Sequence, residues 1–480
     1  MNQEETLALW KQGKEAWNAW AEKMLANRKA LEDKGEWDVT VMTTGEEKPV
    51  NETTKNWFKD ALAVFSSRET PHIFPDGTSF DGVLFPSVSE WGAATFQFGA
   101  AFRSTTFEGR ASFNGATFEG EAKFNGVAFE GVAGFSSVTF EGRAGFIGVA
   151  FVSDARFNGV TFEEDAEFLK STFKEDAEFF SATFEGRAGF EGVTFEENAT
   201  FLGATFKGGA EFRRATFKGV VEFGGATFDG GAEFGSVCFE KPTRFSHARF
   251  NTETSFNSAQ IKQAFDLSGA RFKEVPDFRQ AHCEEAPLLD DVLINSTTIK
   301  QRKSSDKPNF AVTTNYRALK RLAIQGHDHK HEVEFFAEEL KSRRLMVYTP
   351  RDPNWWLSFL FDELSDYGRS IVRPLMYWLG VVMLSAVHYI AMATPLAPDR
   401  TTECLAGAGS QVNTAYQLAF AKGLLVPGLA DRTIVTQAYD CLFGDIIPGS
   451  ATVVASIQTL LSAILLFLLL LGIRNRFKLK

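Results

Sequence analysis

The chain has 480 residues, 44% of them apolar and 23% charged, with a formal net charge of −11; this is the make-up of folded protein and excludes wholesale disorder. Its four cysteines are too few for a disulfide scaffold and fit a chain held mostly in a reducing compartment. Phenylalanine is the outlier, at 49 residues against 7 Tyr and 9 Trp, a bias that implies a repeat.

In chain order, the acidic start Met1-Asn2-Gln3-Glu4-Glu5 leads into no apolar run, so no secretory signal is expected and the first 350 residues are assigned to the cytoplasm. Residues 6–31 carry Trp10, Trp17, Met24 and Leu31 at heptad spacing, with Trp20 alongside. That pattern predicts an amphipathic helix, and residues 1–73 are read as a region capping a repeat array, with self-association as the alternative.

From Phe74, steps of alternately 6 and 5 residues reach Phe113, Phe118, Phe124, Phe157, Phe201, Phe212 and Phe245, and continue to Ile294. Of the 41 positions 35 are Phe, and the exceptions Trp91, Ile261, Leu267, Cys283, Leu289 and Ile294 are all apolar. A period of 11 also suits a right-handed helical coiled coil. Glycine every few residues, as in Phe113-Asn114-Gly115-Ala116-Thr117-Phe118-Glu119-Gly120, rules that out at about 1 kcal/mol each. Short extended pieces joined by tight turns fit better. Two residues before each ring stands a small or β-branched side chain, as at Ala111, Ala116, Ala122 and Val138, so large and small side chains are expected to alternate around the wall of a narrow tube. Residues 74–294 also hold 33 Asp and Glu against 19 Lys and Arg, which makes this tube acidic.

Runs such as Ala210-Glu211-Phe212-Arg213-Arg214-Ala215-Thr216-Phe217-Lys218-Gly219 resemble pentapeptide-repeat proteins in their Phe-centred form. The resemblance implies a mainly β fold, a right-handed quadrilateral parallel β-helix of about ten coils of 22 residues, flanked by α-helices. At about 4.8 Å per coil the rod would be roughly 48 Å long. It also implies a minor functional alternative, mimicry of duplex DNA toward a topoisomerase. The plainer reading of the acidic surface is solubility, and no nucleic-acid partner is expected.

Beyond the repeats, Tyr316 to Gln325 and His329 to Leu345 read as two helices hinged at Gly326, with Asp328 as N-cap, inside a linker of residues 295–350. His327, His329 and His331 suggest a metal site, but no fourth ligand converges and a polar turn is the preferred reading; no metal or cofactor is expected.

Residues 351–480 read as a membrane module. Two apolar runs, 375–396 and 451–473, are each long enough to span a bilayer as an α-helical hairpin. Arg369 and Arg373 precede the first, and Arg474, Arg476, Lys478 and Lys480 follow the second, which places both ends in the cytoplasm. Trp355, Trp356, Phe359 and Phe361 suit an interfacial helix. The loop 397–450 then lies outside, where Cys404 and Cys441 are expected to pair if the host is a typical bacterium, and its segment Tyr416 to Leu429 is apolar enough to dip back toward the membrane. Two spans with such a loop resemble the two-helix pore module of cation channels. Phe443, Gly444 and Asp445 resemble the end of a potassium filter, but the glycine run before them is missing, so potassium selectivity is not expected. His388, Gln458 and Thr459, polar within the spans, are candidates for a pore or a helix interface.

No catalytic constellation appears, and the chain is read as a non-enzyme. Its overall arrangement resembles a group of bacterial inner-membrane proteins. The expected function is an oligomeric, channel-like pore passing ions, whose cytoplasmic β-helix docks a protein partner or regulates the pore. The alternative is a membrane-anchored interaction scaffold without transport.

Overall fold

The computed structural model describes residues 1–42, 47–295, 310–394, 404, 411–424 and 432–477. The expected start of the linker (296–309), much of the outer loop, the end of the first span (395–396), and Lys478 and Lys480 lie outside them. The chain forms two compact units, residues 1–298 with 314–328, and 299–313 with 329–480.

The first unit is a parallel β-solenoid of about 22 residues per turn and about 11 turns. Its short strands, β3 (Ala63–Ser66) to β42 (Leu293–Ile294), fall into four parallel sheets of 10, 10, 11 and 9 strands, one for each wall. From Ile73 onward each strand residue pairs with the one 22 later: Phe118 with Phe140 in one wall, and Ala122 with Ala144 in the next. The ring positions and the small residues two before them are buried. Rings one turn apart stack face to face, Phe113 on Phe135 at 5.0 Å and Phe190 on Phe212 at 4.7 Å, while rings from opposite walls, half a turn apart, meet edge to face, as Phe113 and Phe124 do at 5.5 Å. Both are favoured aromatic geometries.

The alternating steps of 5 and 6 come from two kinds of corner. In the five-residue corner after Phe113, the Ala116 N–H donates to the Phe113 carbonyl at 2.9 Å and Gly115 has φ 72°, a type II turn whose third residue must be left-handed. The same position recurs every 11 residues, with Ser137, Lys170, Ser181 and Arg214 held at positive φ. In the six-residue corners a positive φ occurs only at Gly99 among the described residues, at 99°, but successive turns approach closely: a Cβ on Gly109 would lie 2.5 Å from the Ser87 carbonyl carbon.

The solenoid begins earlier than its periodicity. Strand β3 pairs with β7 (Ser89–Trp91) through a register shift, and Phe65 stacks on Trp91 at 4.0 Å. Near its other end, Phe265 occupies a small-residue slot, paired with Thr243, while Leu267 takes the following ring slot; both are fully buried.

The expected N-terminal helix is two, α1 (Gln3–Trp10) and α2 (Lys14–Asp33), broken at Gly13 with φ 99°. They cover the open end of the tube: Trp10 stacks on Phe80 at 4.5 Å, and Trp17 Nε1 donates to the Leu84 carbonyl at 2.9 Å. A hairpin of β1 (Val39–Val41) and β2 (Glu47–Pro49), and α3 (Glu52–Ala61), complete this end. At the other end lies α4 (Ala311–Gln325), with Leu319, Leu322 and Ala323 buried and Gln325 Nε2 donating to the Cys283 carbonyl at 2.8 Å. After α4 it is His327, at φ 53°, and not Gly326, that takes the left-handed position.

The second unit contains α5 (His329–Met346), α6 (Pro353–Ser365), α7 (Val372–Ala391), α8 (Gln411–Gly423), α9 (Arg432–Phe443) and α10 (Gly449–Phe477). Helices α7 and α10 are long and apolar enough to cross a membrane. They start before the apolar runs do, at 372 rather than 375 and at 449 rather than 451, because helix ends recruit residues that a hydropathy count discards; α7 ends at 391, short of the end of its apolar run, with Met392 as its C-cap.

Candidate functional site

Helix α6 opens with Asp352 capping the Asn354 N–H and Pro353 in its first turn, and it exposes Trp356, Leu357 and Leu360. Arg344 of α5 reaches Asp362 on it at 2.6 Å. Burial pushes the Tyr367 hydroxyl above the usual phenol range, opposed by a hydrogen bond with Ser358.

Beyond this belt α7, α8, α9 and α10 share one apolar core, drawing Val382 and Tyr389 from α7, Leu418 and Ala419 from α8, Leu442 and Phe443 from α9, and Ala455 and Leu465 from α10. Helix α8 lies antiparallel to α7 and is pinned at both ends: Gln411 Nε2 donates to the Thr394 carbonyl at 2.9 Å, and Trp378 Nε1 donates to the Gly423 carbonyl at 3.2 Å. With 13 residues it is about 20 Å long, short of the about 30 Å that a bilayer core requires.

Gln458 holds this arrangement together. Its Oε1 accepts from the Tyr389 hydroxyl at 2.9 Å and its Nε2 donates to the Ala419 carbonyl at 2.5 Å, so one side chain 1% exposed ties α10 to α7 and α8. Gln458 thus sits where three helices of one chain meet. Thr459, half-buried, donates to the Ala455 carbonyl of its own helix at 2.8 Å. His388 is half-buried and its Nε2 is shielded and makes no hydrogen bond. The structure does not bring these three residues together around one point.

Phe443 is the last residue of α9 and is buried, 6.4 Å from the Tyr389 ring; Gly444 turns the chain at φ 62°, donating to the Asp440 carbonyl, and Asp445 is exposed. A helical Phe443 does not belong to an extended row of carbonyls. Cys404 and Cys441 are joined in a disulfide. Sequence reasoning missed Tyr389, Ala419, Trp378 and Gly423: apolar or small residues in apolar runs carry no signal of the partner they meet across 39 to 69 positions.

Outside this bundle, the solenoid's outward positions form columns in which each residue lies over the one 22 before it. Opposite charges meet along them: Lys207 on Glu185 at 2.7 Å, Lys218 on Glu196 at 2.6 Å and Lys262 on Glu240 at 2.9 Å. Exposed pairs of this kind contribute little each, but they neutralise an otherwise acidic wall.

Comparison with curated proteins and with solved structures found no match. Comparison with protein families found overlapping matches to pentapeptide repeats (9 copies) over residues 124–172, 157–205, 168–216, 190–237 and 203–249. Over residues 124–249 the stacked walls of the solenoid are thus made of pentapeptide repeats.

Proposed function

We propose that the chain is a non-enzymatic membrane protein in which α7 and α10 span the bilayer, α8 re-enters it from the outer side, and several copies assemble around a channel-like pore, the solenoid remaining in the cytoplasm as a docking or regulatory arm. The observation that carries this reading is α8, a helix too short to cross, packed between two helices long enough to do so. Non-spanning helices at membrane depth are tolerated where protein or a water-filled cavity surrounds them. The outward faces agree: Gln417 on α8 and Thr452 on α10 are exposed on the single chain, and such groups are costly against lipid. Neighbouring subunits or a lumen would receive them. Arg369 before α7, Arg373 in its first turn, and Arg474 and Arg476 at the end of α10 support cytoplasmic ends.

A pure tether needs only two spans and leaves α8 without a purpose. Light scattering of the detergent-solubilised protein separates the two readings. A closed oligomer of at least three chains is expected; a monomer at all concentrations would exclude the pore, because two spans and one half-helix cannot enclose one.

A further inference from the structure

The N-terminal end of the first unit encloses a cavity of about 580 Å³ that the proposed pore does not use. Its walls come from α2, β2 and α3 on one side and the first coils on the other, with Trp57, Phe58 and Pro49 facing Pro86, Ser87, Glu108 and Glu130. The two glutamates sit 22 residues apart, one above the other in the same outward column that higher up pairs Glu196 with Lys218 and Glu240 with Lys262. Only at the cavity does this column place like charge on like charge: burial, and next the Glu130 carboxylate, push Glu108 above the usual carboxylate range, with Arg28 opposing.

The cations nearby are already engaged. Arg28 bridges Glu32 at 2.8 Å and Glu47 at 2.9 Å and lies over the Trp37 ring, and Arg110 holds Glu90 at 2.6 Å. Lys48, exposed, also lines the cavity; one lysine against two carboxylates leaves net negative charge.

We infer that this cavity is a binding site for an organic cation, an ammonium or guanidinium group on an aliphatic stem, with Glu108 and Glu130 receiving the charge and Trp57 and Phe58 flanking the stem. The same chemistry is offered by a free polyamine and by a lysine or arginine side chain of a protein segment.

The test is calorimetric titration of the full-length protein in detergent at low salt with four probes: 1,5-diaminopentane, the neutral 1,5-pentanediol, and end-blocked pentapeptides with a central arginine or a central norleucine. Both cationic probes are expected to bind at least tenfold more tightly than their neutral counterparts, and whichever cation binds more tightly identifies the source. The double substitution E108Q/E130Q should lower cation affinity at least tenfold, E196Q in the same column should leave it unchanged, and K48M should raise it. Should the double variant melt below the wild type, Glu130→Gln alone, at an exposed position, serves in its place. Equal binding of neutral and charged probes, no binding of either cation, or unchanged affinity in the glutamine variants would overturn the assignment.

Discussion

Phe265 and Leu267 exchange the roles that Val221 and Phe223 play two coils earlier, the large side chain sitting in the small slot and the smaller one in the ring slot. The volume of the layer is kept while its pattern is reversed, which cores tolerate when packing density is preserved. Phe265→Ala should therefore cost about 3–5 kcal/mol, and adding Leu267→Phe, which restores the usual pattern, should recover more than half of that in urea unfolding followed by circular dichroism. An additive or worse double variant would show that the slots are not coupled. Cys283 stands in a ring slot as well. Its burial pushes the thiol up to about 11, with Arg321 opposing, so at pH 8 iodoacetamide should leave it unmodified in the native protein and label it once the chain unfolds. Rapid native labelling would place it at the surface instead.

Among elements, the walls of the solenoid were legible because stacking at one residue per turn forces Phe118, Phe140 and Phe162 into the same slot, and the period writes that constraint into the chain. Phe65 was not legible, since the register shift in β3 sets it 26 residues before Trp91 instead of 22. In the C-terminal bundle the apolar runs announced α7 and α10, whereas α8 was anticipated only as a dipping segment from Tyr416 to Leu429, which misses its first turn from Gln411 and runs past its end at Gly423, because polar residues within 411–414 hide the start from a hydropathy reading. Its position depends on Gln458, whose partners Tyr389 and Ala419 have no marked spacing. Gln458→Leu should leave the Tyr389 hydroxyl without a partner, at about 1–3 kcal/mol, and strip the Ala419 carbonyl of its second bond, leaving only the one within its helix. Hydrogen exchange should then accelerate across α8 while the solenoid amides keep their protection. Thr459→Val, which loses only a bond within its own helix, should change exchange little. Unaltered protection of α8 in the Gln458 variant would mean that apolar packing alone holds it.

For the whole molecule, two units with opposite habits share one chain: a solenoid whose every layer repeats its neighbour, and a helical bundle held by contacts that occur once. Repetition makes the first readable from a single sequence and also leaves it functionally mute, because identical layers single out no site except where the pattern breaks, as at Glu108 and Glu130. The bundle carries the functional reading, and its central claim is transport. The most direct measurement is ion flux into liposomes reconstituted with the purified full-length protein, alongside protein-free liposomes and the Gln458→Leu variant. A pore predicts flux with the wild-type protein well above the protein-free control, and a reduced flux when the tie to α8 is removed. Wild-type flux no greater than the control, from protein shown to be inserted and folded, would contradict it and leave the two long helices as anchors for the solenoid.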